Sequence, residues 1–481
     1  MSELNEKCGV FGIYGKGMDV SRLTFYGLFA LQHRGQESSG IATSDGTAIQ
    51  CYKNTGLVTH VYSESDIHRL SGHLAIGHNR YSTSKATGIA HAQPVVIGHR
   101  STDSGPELAL AHNGNLPSTI ALENFLKSKN IPVADLNDSE LMAHAISYFF
   151  KNGCTLKEAI TTAYPLFTGA FSLVVMTKDS VAAIRDSYGM RPLAMAKLNG
   201  GIVFASETCA FATIGADFVR EIEPGEMVIV TEGSIESVQI QPGTPKFDVF
   251  EFVYFARPDS ELLGKSVYDV RHNFGTQLAR ETAITADLVV PVPETAIPVA
   301  LGYSQATGMP LEMALVKNRY IHRTFIEPDP HSRDLGVKLK LTPLPNVLRG
   351  KRVVLVDDSI VRGTTSGQIV RSILDAGAKE VHFLVSSPPI KFPDFYGIDT
   401  PNQRNLIAAT KNNEEIRQYI GAASLHYLSL QGMLTATGID PLKFSTHCFT
   451  GEYPIDLRER TREVSAPSSP PEKLTPTLPL S

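Results

Sequence analysis

Cysteine is scarce and scattered in this chain. The five thiols, Cys8, Cys51, Cys154, Cys209 and Cys448, form no CxxC and no paired spacing, which argues against a disulfide framework and suits reduced thiols in a reducing compartment. Cys51, Cys154 and Cys209 are expected to fill core space. Long apolar runs are also missing. None approaches the roughly 18 residues that span a bilayer, and Met1 to Lys7 lack the apolar core of a secretory signal. A cytoplasmic protein with no membrane partner is expected. Basic charge is not in excess, the formal net charge being −5. That balance speaks against a general affinity for nucleic acid, yet it is compatible with a local basic pocket for a phosphorylated substrate.

What is present is the composition of an ordinary globular enzyme, 42% hydrophobic and 19% charged. At 481 residues the chain exceeds what one hydrophobic core serves, so two or three domains are expected. The first 240 residues alternate short β-type runs, such as Ala170 to Met176 and Met227 to Val230, with Gly-rich turns. Two helices are expected there, one from Ser21 to about Gln32, the other from Asp138 or Ser139 through Phe149. Gln241-Pro242-Gly243-Thr244-Pro245 has the composition of an exposed linker. Beyond it the pattern becomes β-α-β: strands over Leu288 to Val292, Arg352 to Val356 and Val381 to Val385, with helices over Ala296 to Thr307 and Ser366 to Ala376. Strands alternating with helices of this length indicate a parallel sheet covered on both faces. The tail from Ala466 to Ser481 is rich in Pro and Ser and is expected to be disordered.

Two features carry chemistry. Cys8 is followed at once by Gly-Val-Phe-Gly-Ile-Tyr-Gly, and only Met1 to Lys7 precede it. If those seven residues are removed, one residue carries both a thiol and a free α-amine of pKa about 7.7 to 8.0, so nucleophile and base coincide. Taken alone, Cys8 would serve equally well as a small buried thiol on a first strand. The second feature is Arg352-Val353-Val354-Leu355-Val356-Asp357-Asp358-Ser359-Ile360-Val361-Arg362-Gly363-Thr364-Thr365-Ser366. Apolar β-formers deliver two carboxylates to the C-terminal end of a strand, where open α/β sheets bind ligands. Asp357 and Asp358 can accept hydrogen bonds from ribose hydroxyls. The turn through Gly363, Thr364 and Thr365 offers backbone N–H groups and hydroxyls at a helix start, a cradle for phosphate. The alternative is an Asp cap on a surface helix. Val292-Pro293-Glu294-Thr295-Ala296 can likewise present main-chain N–H groups to pyrophosphate. The polar stretch opening at Lys317-Asn318-Arg319-Tyr320 and reaching to about Lys340 is long enough for a lid, a disordered segment or a solvated basic loop.

Behind Cys8 come four segments in order: Leu31-Gln32-His33-Arg34-Gly35-Gln36-Glu37-Ser38-Ser39-Gly40, Gly77-His78-Asn79-Arg80-Tyr81-Ser82-Thr83, Ala111-His112-Asn113-Gly114-Asn115 and Asn137-Asp138-Ser139-Glu140. With them the chain resembles glutamine amidotransferases of the N-terminal-nucleophile class, and more narrowly the amidophosphoribosyltransferase family, from Cys8 to about Pro454. The stretch around Asp357 is similar to the phosphoribosyl-pyrophosphate motif of type I phosphoribosyltransferases. The resemblance implies an α+β N-terminal-nucleophile hydrolase sandwich (αββα) over residues 8–240 after a propeptide at 1–7. It further implies an α/β type I phosphoribosyltransferase domain with a mainly parallel sheet over 250–455, and residues 463–481 are left as tail.

Residue roles follow from the same resemblance. Cys8 would be the nucleophile, with Asn113 and the N–H of Gly114 as oxyanion donors. Arg80 would bind the glutamine α-carboxylate and Asp138 its α-ammonium, while Arg34 would brace the Cys8 region; as isolated residues, Asp138 could be a helix cap and Arg80 a surface ion pair. Phosphoribosyl pyrophosphate would be held by Asp357, Asp358, Ser359, Arg362, Gly363, Thr364 and Thr365, with Lys317 and Tyr320 from the loop. Mg²⁺ would meet Thr295, Asp357 and Asp358. Purine nucleotide inhibitors and a homo-oligomer are implied as well. Many members of the family hold a four-iron cluster on four cysteines, but here Asp248 and Asp394 stand at cysteine positions and only Cys448 survives from the C-terminal group. No iron–sulfur cluster is therefore expected. Two rivals remain: a class II amidotransferase with another acceptor, which would not need the Asp357 to Thr365 motif, and a nucleotide-sensing regulator, which would leave Cys8 without a purpose.

Overall fold

The computed structural model describes residues 8–81, 88–98, 106–318, 341–398, 400 and 402–465. Expectations about residues 1–7, the stretch 319–340 including Tyr320, and the tail from Ala466 concern residues outside these.

Two antiparallel sheets stack in the N-terminal half. The first runs in spatial order Asp217–Glu221, Ala194–Leu198, Gly201–Ala205, Gly9–Tyr14, Leu74–Arg80, Ser38–Ser44 and Ile49–Thr55. The second runs Ser234–Gln239, Glu226–Thr231, Val181–Arg185, Thr168–Met176, Pro106–Ser118 and Val95–Gly98. Side-chain alternation on one strand shows how they are layered. Val10 and Tyr14 join Ala109, Val174 and Ala183 of the second sheet in an inter-sheet core, whereas Phe11 and Ile13 pack outward with Val20 and Leu28 of the helix Val20–Ala30. On the far side Leu110, Leu173 and Val175 pack against Met142 and Ile146 of the helix Asp138–Lys151 and Ile160 of Leu156–Ala163. The result is helix, sheet, sheet, helix.

Local sequence sets the helix ends. Asp19 accepts from Arg22 N at 3.1 Å, and the first helix stops at Ala30 before a 3₁₀ turn over Gln32–Arg34, slightly short of the expected Gln32. That turn directs Arg34 inward, where it is fully buried. The helix Asp138–Lys151 opens with a capping box in which Asn137 and Glu140 bond each other's backbone N–H.

The C-terminal half is built on a four-stranded parallel sheet in the order Leu288–Pro291, Arg352–Asp357, Glu380–Val385, Ser424–Tyr427. Val289, Val354 and Val356 face the helices Val267–Glu281 and Ile297–Thr307. Val290, Val353 and Leu355 face Thr364–Asp375 and Asn413–Ile420. Both faces are covered, which explains the unbroken apolar runs. Gln241 to Pro245 is exposed and leads into Phe247–Asp248, which pairs in parallel with Phe444–Ser445.

One cysteine expectation is corrected. Cys209 is buried and Cys154 half-buried, but Cys51 is exposed, because it lies in Ile49–Thr55, the edge strand of its sheet, which has a paired neighbour on one side only among the described residues.

Candidate active sites

Cys8 precedes the strand Gly9–Tyr14, and Gly9 pairs with Asn79, so the ends of two neighbouring strands place Cys8 beside Arg80. The thiol points to Tyr81 O at 3.7 Å. Burial pushes it up to about 11, against the lowering influence of the Tyr81 main chain and of the Arg80 and Arg34 charges. Arg34 donates to Cys8 O at 3.1 Å and to Glu251 Oε1 at 3.0 Å, and it also bonds Glu207. It therefore braces the backbone of Cys8, as the resemblance implied. Arg80 is 7% exposed, and its carbonyl accepts from Glu37 N at 3.1 Å.

The second sheet contributes Asn113 and Gly114, on the strand Pro106–Ser118. Asn113 is 1% exposed and its Nδ2 has no hydrogen-bond partner among the described residues. A buried, unpaired donor is costly unless a ligand uses it. Gly114 has φ +147°, and a Cβ there would come within 2.0 Å of Ala170 O, so only glycine fits. Asp138, at the start of its helix, accepts from Ser139 N at 2.8 Å and Leu116 N at 3.2 Å.

Three residues assigned no role from the sequence hold this strand to that helix. Ser139 Oγ meets His112 Nδ1 at 3.0 Å and Gln93 Nε2 at 3.1 Å, and Gln93 Oε1 accepts from His112 N at 2.8 Å. Burial keeps the His112 imidazole below its usual pKa, so the ring is a neutral strut. His112 and Ser139 lie inside recognisable segments, whereas Gln93 has no local signal.

The other site forms where the strands Leu288–Pro291 and Arg352–Asp357 end side by side, tied by Val292 N to Val356 O at 2.8 Å. Asp357 and Asp358 are 2% and 3% exposed. Asp357 accepts from Asp358 N at 2.9 Å, and Ser359 Oγ donates to Asp358 at 2.7 Å. Burial and the neighbouring Asp357 raise Asp358 to about 7. Gly363 caps the helix Thr364–Asp375 with φ +77°, a left-handed turn that lets the first N–H groups converge. Thr364 and Arg362 are exposed, Thr365 and Thr295 half-buried. The Pro293–Glu294 peptide is cis, and Lys317 Nζ reaches Glu294 Oε2 at 3.5 Å. The structure thus gathers Thr295, Lys317 and the residues from Asp357 to Thr365 at one end of the sheet. Two adjacent buried carboxylates at a strand end are hard oxygen donors that fit a divalent cation such as Mg²⁺. Sequence reasoning missed Arg271, buried nearby, which donates to Phe252 O and Ala256 O at 2.7 and 2.8 Å and whose charge acts on Asp358.

Asp248 and Asp394 meet around Arg191. Its guanidinium bonds Asp248 at 2.6 Å and lies 3.5 Å from Asp394 and 3.7 Å from Glu251, all fully buried. Ligand atoms of Asp394, His447 and Cys448 lie within 4.8 Å of one another. However, His447 Nε2 is bonded to Asp394 at 2.7 Å, so the guanidinium and the imidazole occupy the carboxylate oxygens a metal would need. This set does not fit a four-thiolate cluster.

Comparison with known proteins agrees with both halves. A glutamine amidotransferase domain family matches residues 78–213 and a phosphoribosyl transferase domain family residues 263–388. The chain is 47% identical to the amidophosphoribosyltransferase of Synechococcus elongatus over 95% of its length and 93% of the relative's. It is 43% identical to that of Bacillus subtilis, covering 95% and 96%. The solved glutamine phosphoribosylpyrophosphate amidotransferase from B. subtilis, complexed with ADP and GMP, superposes with a TM-score of 0.87 at 42% identity, covering 94% of this chain and 98% of that one. A structure described as the allosteric regulatory enzyme of purine biosynthesis gives 0.88 at 42% identity, covering 94% and 97%. Among the described residues no helix is long and apolar enough to cross a membrane.

Proposed function

The chain belongs to the amidophosphoribosyltransferase family, and from that premise we propose how its residues divide the work. The reaction takes glutamine, 5-phosphoribosyl 1-pyrophosphate and water to 5-phosphoribosylamine, glutamate and pyrophosphate, the entry to purine synthesis.

Residues 1–7 are removed as a propeptide, leaving Cys8 first. Its α-amine takes the thiol proton, which overcomes the burial that otherwise keeps the thiol protonated. Sγ attacks the glutamine carboxamide carbon, and the oxyanion is met by Asn113 Nδ2 and Gly114 N–H. Arg80 forks onto the α-carboxylate and Asp138 pairs with the α-ammonium. Collapse releases ammonia and leaves a thioester, which water hydrolyses to glutamate. The observation that carries this assignment is the buried Nδ2 of Asn113, unpaired among the described residues. The glutaminase unit is 8–240.

In the transferase unit, 250–455, Asp357 and Asp358 accept from the ribose hydroxyls, and the turn Ser359 to Thr365 with Arg362 cradles the 5-phosphate. Lys317 meets the pyrophosphate, and Tyr320, outside the described residues, is assigned to the same ligand. Thr295, Asp357 and Asp358 would hold Mg²⁺, which when bound neutralises charge on the departing pyrophosphate. Ammonia reaches C1 of the ribose through an apolar passage that keeps it unprotonated. Purine nucleotides, which share the ribose-phosphate moiety, compete at Asp357 to Thr365. The enzyme is cytoplasmic and homo-oligomeric, and it carries no iron–sulfur cluster; the ion-paired carboxylates around Arg191 support that last point.

The test is pyrophosphate release from phosphoribosyl pyrophosphate with Mg²⁺, using glutamine and then ammonium chloride at alkaline pH, on wild type and Cys8→Ala. Wild type is expected to use both donors and the variant only ammonium. No release with either donor would refute the transferase assignment.

A further inference from the structure

Gly114 lies against backbone from both sides. Toward its own sheet, the Ala170 carbonyl leaves no space for a Cβ. Facing it is Gly397, from the C-terminal half, whose own Cβ would stand 3.1 to 3.2 Å from the C, Cα and O atoms of Gly114. Gly397 has φ +120°, a conformation an L side chain rarely adopts. Beside this contact, Asn115 Nδ2 donates to Phe395 O at 2.8 Å. The turn around Asp394 to Ile398 therefore touches the amidase strand at the residue next to Asn113.

That turn is fixed from the other side by buried polar struts. Asp394 Oδ1 accepts from Tyr396 N at 2.8 Å and Ile398 N at 2.7 Å, and Asp394 N donates to Thr400 Oγ1 at 2.7 Å. Asp394 Oδ2 bonds His447 Nε2 at 2.7 Å, and His447 Nδ1 meets Ser445 Oγ at 2.8 Å. Arg191 Nε donates to Tyr396 O at 2.9 Å, and Tyr396 OH donates to Ile455 O at 2.7 Å. Apolar packing alone would fill this seam without specifying direction. The struts instead fix the carbonyl of Phe395 and the backbone of Gly397 against Gly114.

We infer that the turn Asp394 to Ile398 is a positioning element for the glutaminase oxyanion hole, with Gly397 and the Asn115–Phe395 bond setting the direction of the Gly114 N–H from the transferase half. The inference rests on the assignment of Asn113 and Gly114 as oxyanion donors. A hydrogen bond to a developing charge is sensitive to a few tenths of an ångström, so the turn acts on the transition state more than on glutamine binding.

Three full-length variants test this: Gly397→Ala, Asn115→Ala and Asn113→Ala. Loss of one oxyanion donor costs about 10²- to 10³-fold in kcat. Gly397→Ala, which displaces rather than deletes a donor, is expected to lower the glutamine-dependent kcat by about 10- to 100-fold, and Asn115→Ala by about 10-fold. KM for glutamine should stay within about twofold because Arg80 and Asp138 are untouched. Ammonia-dependent phosphoribosylamine formation should be unchanged in both, which also reports that they fold. If Gly397→Ala does not fold, Asn115→Ala carries the test. A fall in KM-linked binding with kcat intact, an unchanged glutamine kcat, or an equal loss with ammonia overturns the inference. If Asn113→Ala loses glutamine activity while the other two keep it, only the inference fails; if Asn113→Ala keeps it, the oxyanion assignment fails as well.

Discussion

Asp358 is the residue whose replacement should make the protein more stable and less useful. Its carboxyl is almost fully buried beside Asp357, and the two effects raise it from an ordinary 3.8 to about 7. The folded chain therefore keeps a proton there up to about pH 7, whereas the unfolded chain releases it near 3.8. Between those values the native state binds more protons, so this group's contribution to stability falls as pH rises and then levels off. At 1.36 kcal/mol per pH unit, the cost at pH 8 is about 4 kcal/mol, an upper figure because partial hydration of the pair would reduce it. Asp358→Asn removes the titration and keeps the shape, and Ser359 Oγ retains an oxygen to donate to. Thermal unfolding of wild type and variant is compared from pH 5 to 8 with a chelator present to exclude divalent cations. The variant's advantage should be about 1.5 kcal/mol at pH 5 and grow through pH 7. For a unit of about 200 residues, a few kcal/mol corresponds to roughly 10 °C in Tm. Transferase activity with ammonia should meanwhile collapse. A Tm difference independent of pH, or one that shrinks as pH rises, would refute the reasoning.

Two further outcomes follow from buried charge. Arg191→Met leaves Asp248 and Asp394 without their cation and should destabilise the protein by about 3 to 5 kcal/mol at pH 8; because Asp248 already sits near 6 through burial, the defect should shrink as pH falls toward 5, which urea unfolding at the two pH values checks. In a chain that retains the Lys7–Cys8 peptide bond, alkylation of Cys8 by iodoacetamide should rise with an inflection near 11 and be about 10²-fold slower at pH 7.5 than that of a free thiol of pKa about 8.5. An inflection between 7 and 9 in the uncleaved chain would show that burial does not control this thiol.

Much of the architecture was legible in the sequence because it is written locally. The runs at Leu288, Arg352 and Val381 have β-formers of the right length, and the first two are each followed by turn residues and a helical period. Asp357 to Thr365 could be placed at a strand end for the same reason. Cys51 was misjudged because cysteine is usually a core residue, and nothing around it reports that its strand lies at a sheet edge. Gln93 and Arg271 were missed for a different reason: their roles depend on partners supplied by other strands and helices. Arg191 meets Asp248 across 57 residues, a separation no local pattern records.

The departures from the four-cysteine pattern are instructive as a set. An isolated Asp in place of a metal-binding cysteine would be a buried charge with no partner, a costly substitution. Here each acid has one: Asp248 bonds Arg191, and Asp394 bonds His447 while facing the same guanidinium. The network continues through Glu251 to Arg34 and so to the carbonyl of Cys8. Buried ion pairs are weak evidence for stability, since well-packed apolar residues often do as well, but removing one member strands the others. Such a network favours one arrangement of the two halves over nearby alternatives, the service that a cluster of four thiolates can provide by covalent ligation. It also means that restoring cysteine at 248 or 394 alone would leave Arg191 short of an anion without creating a metal site.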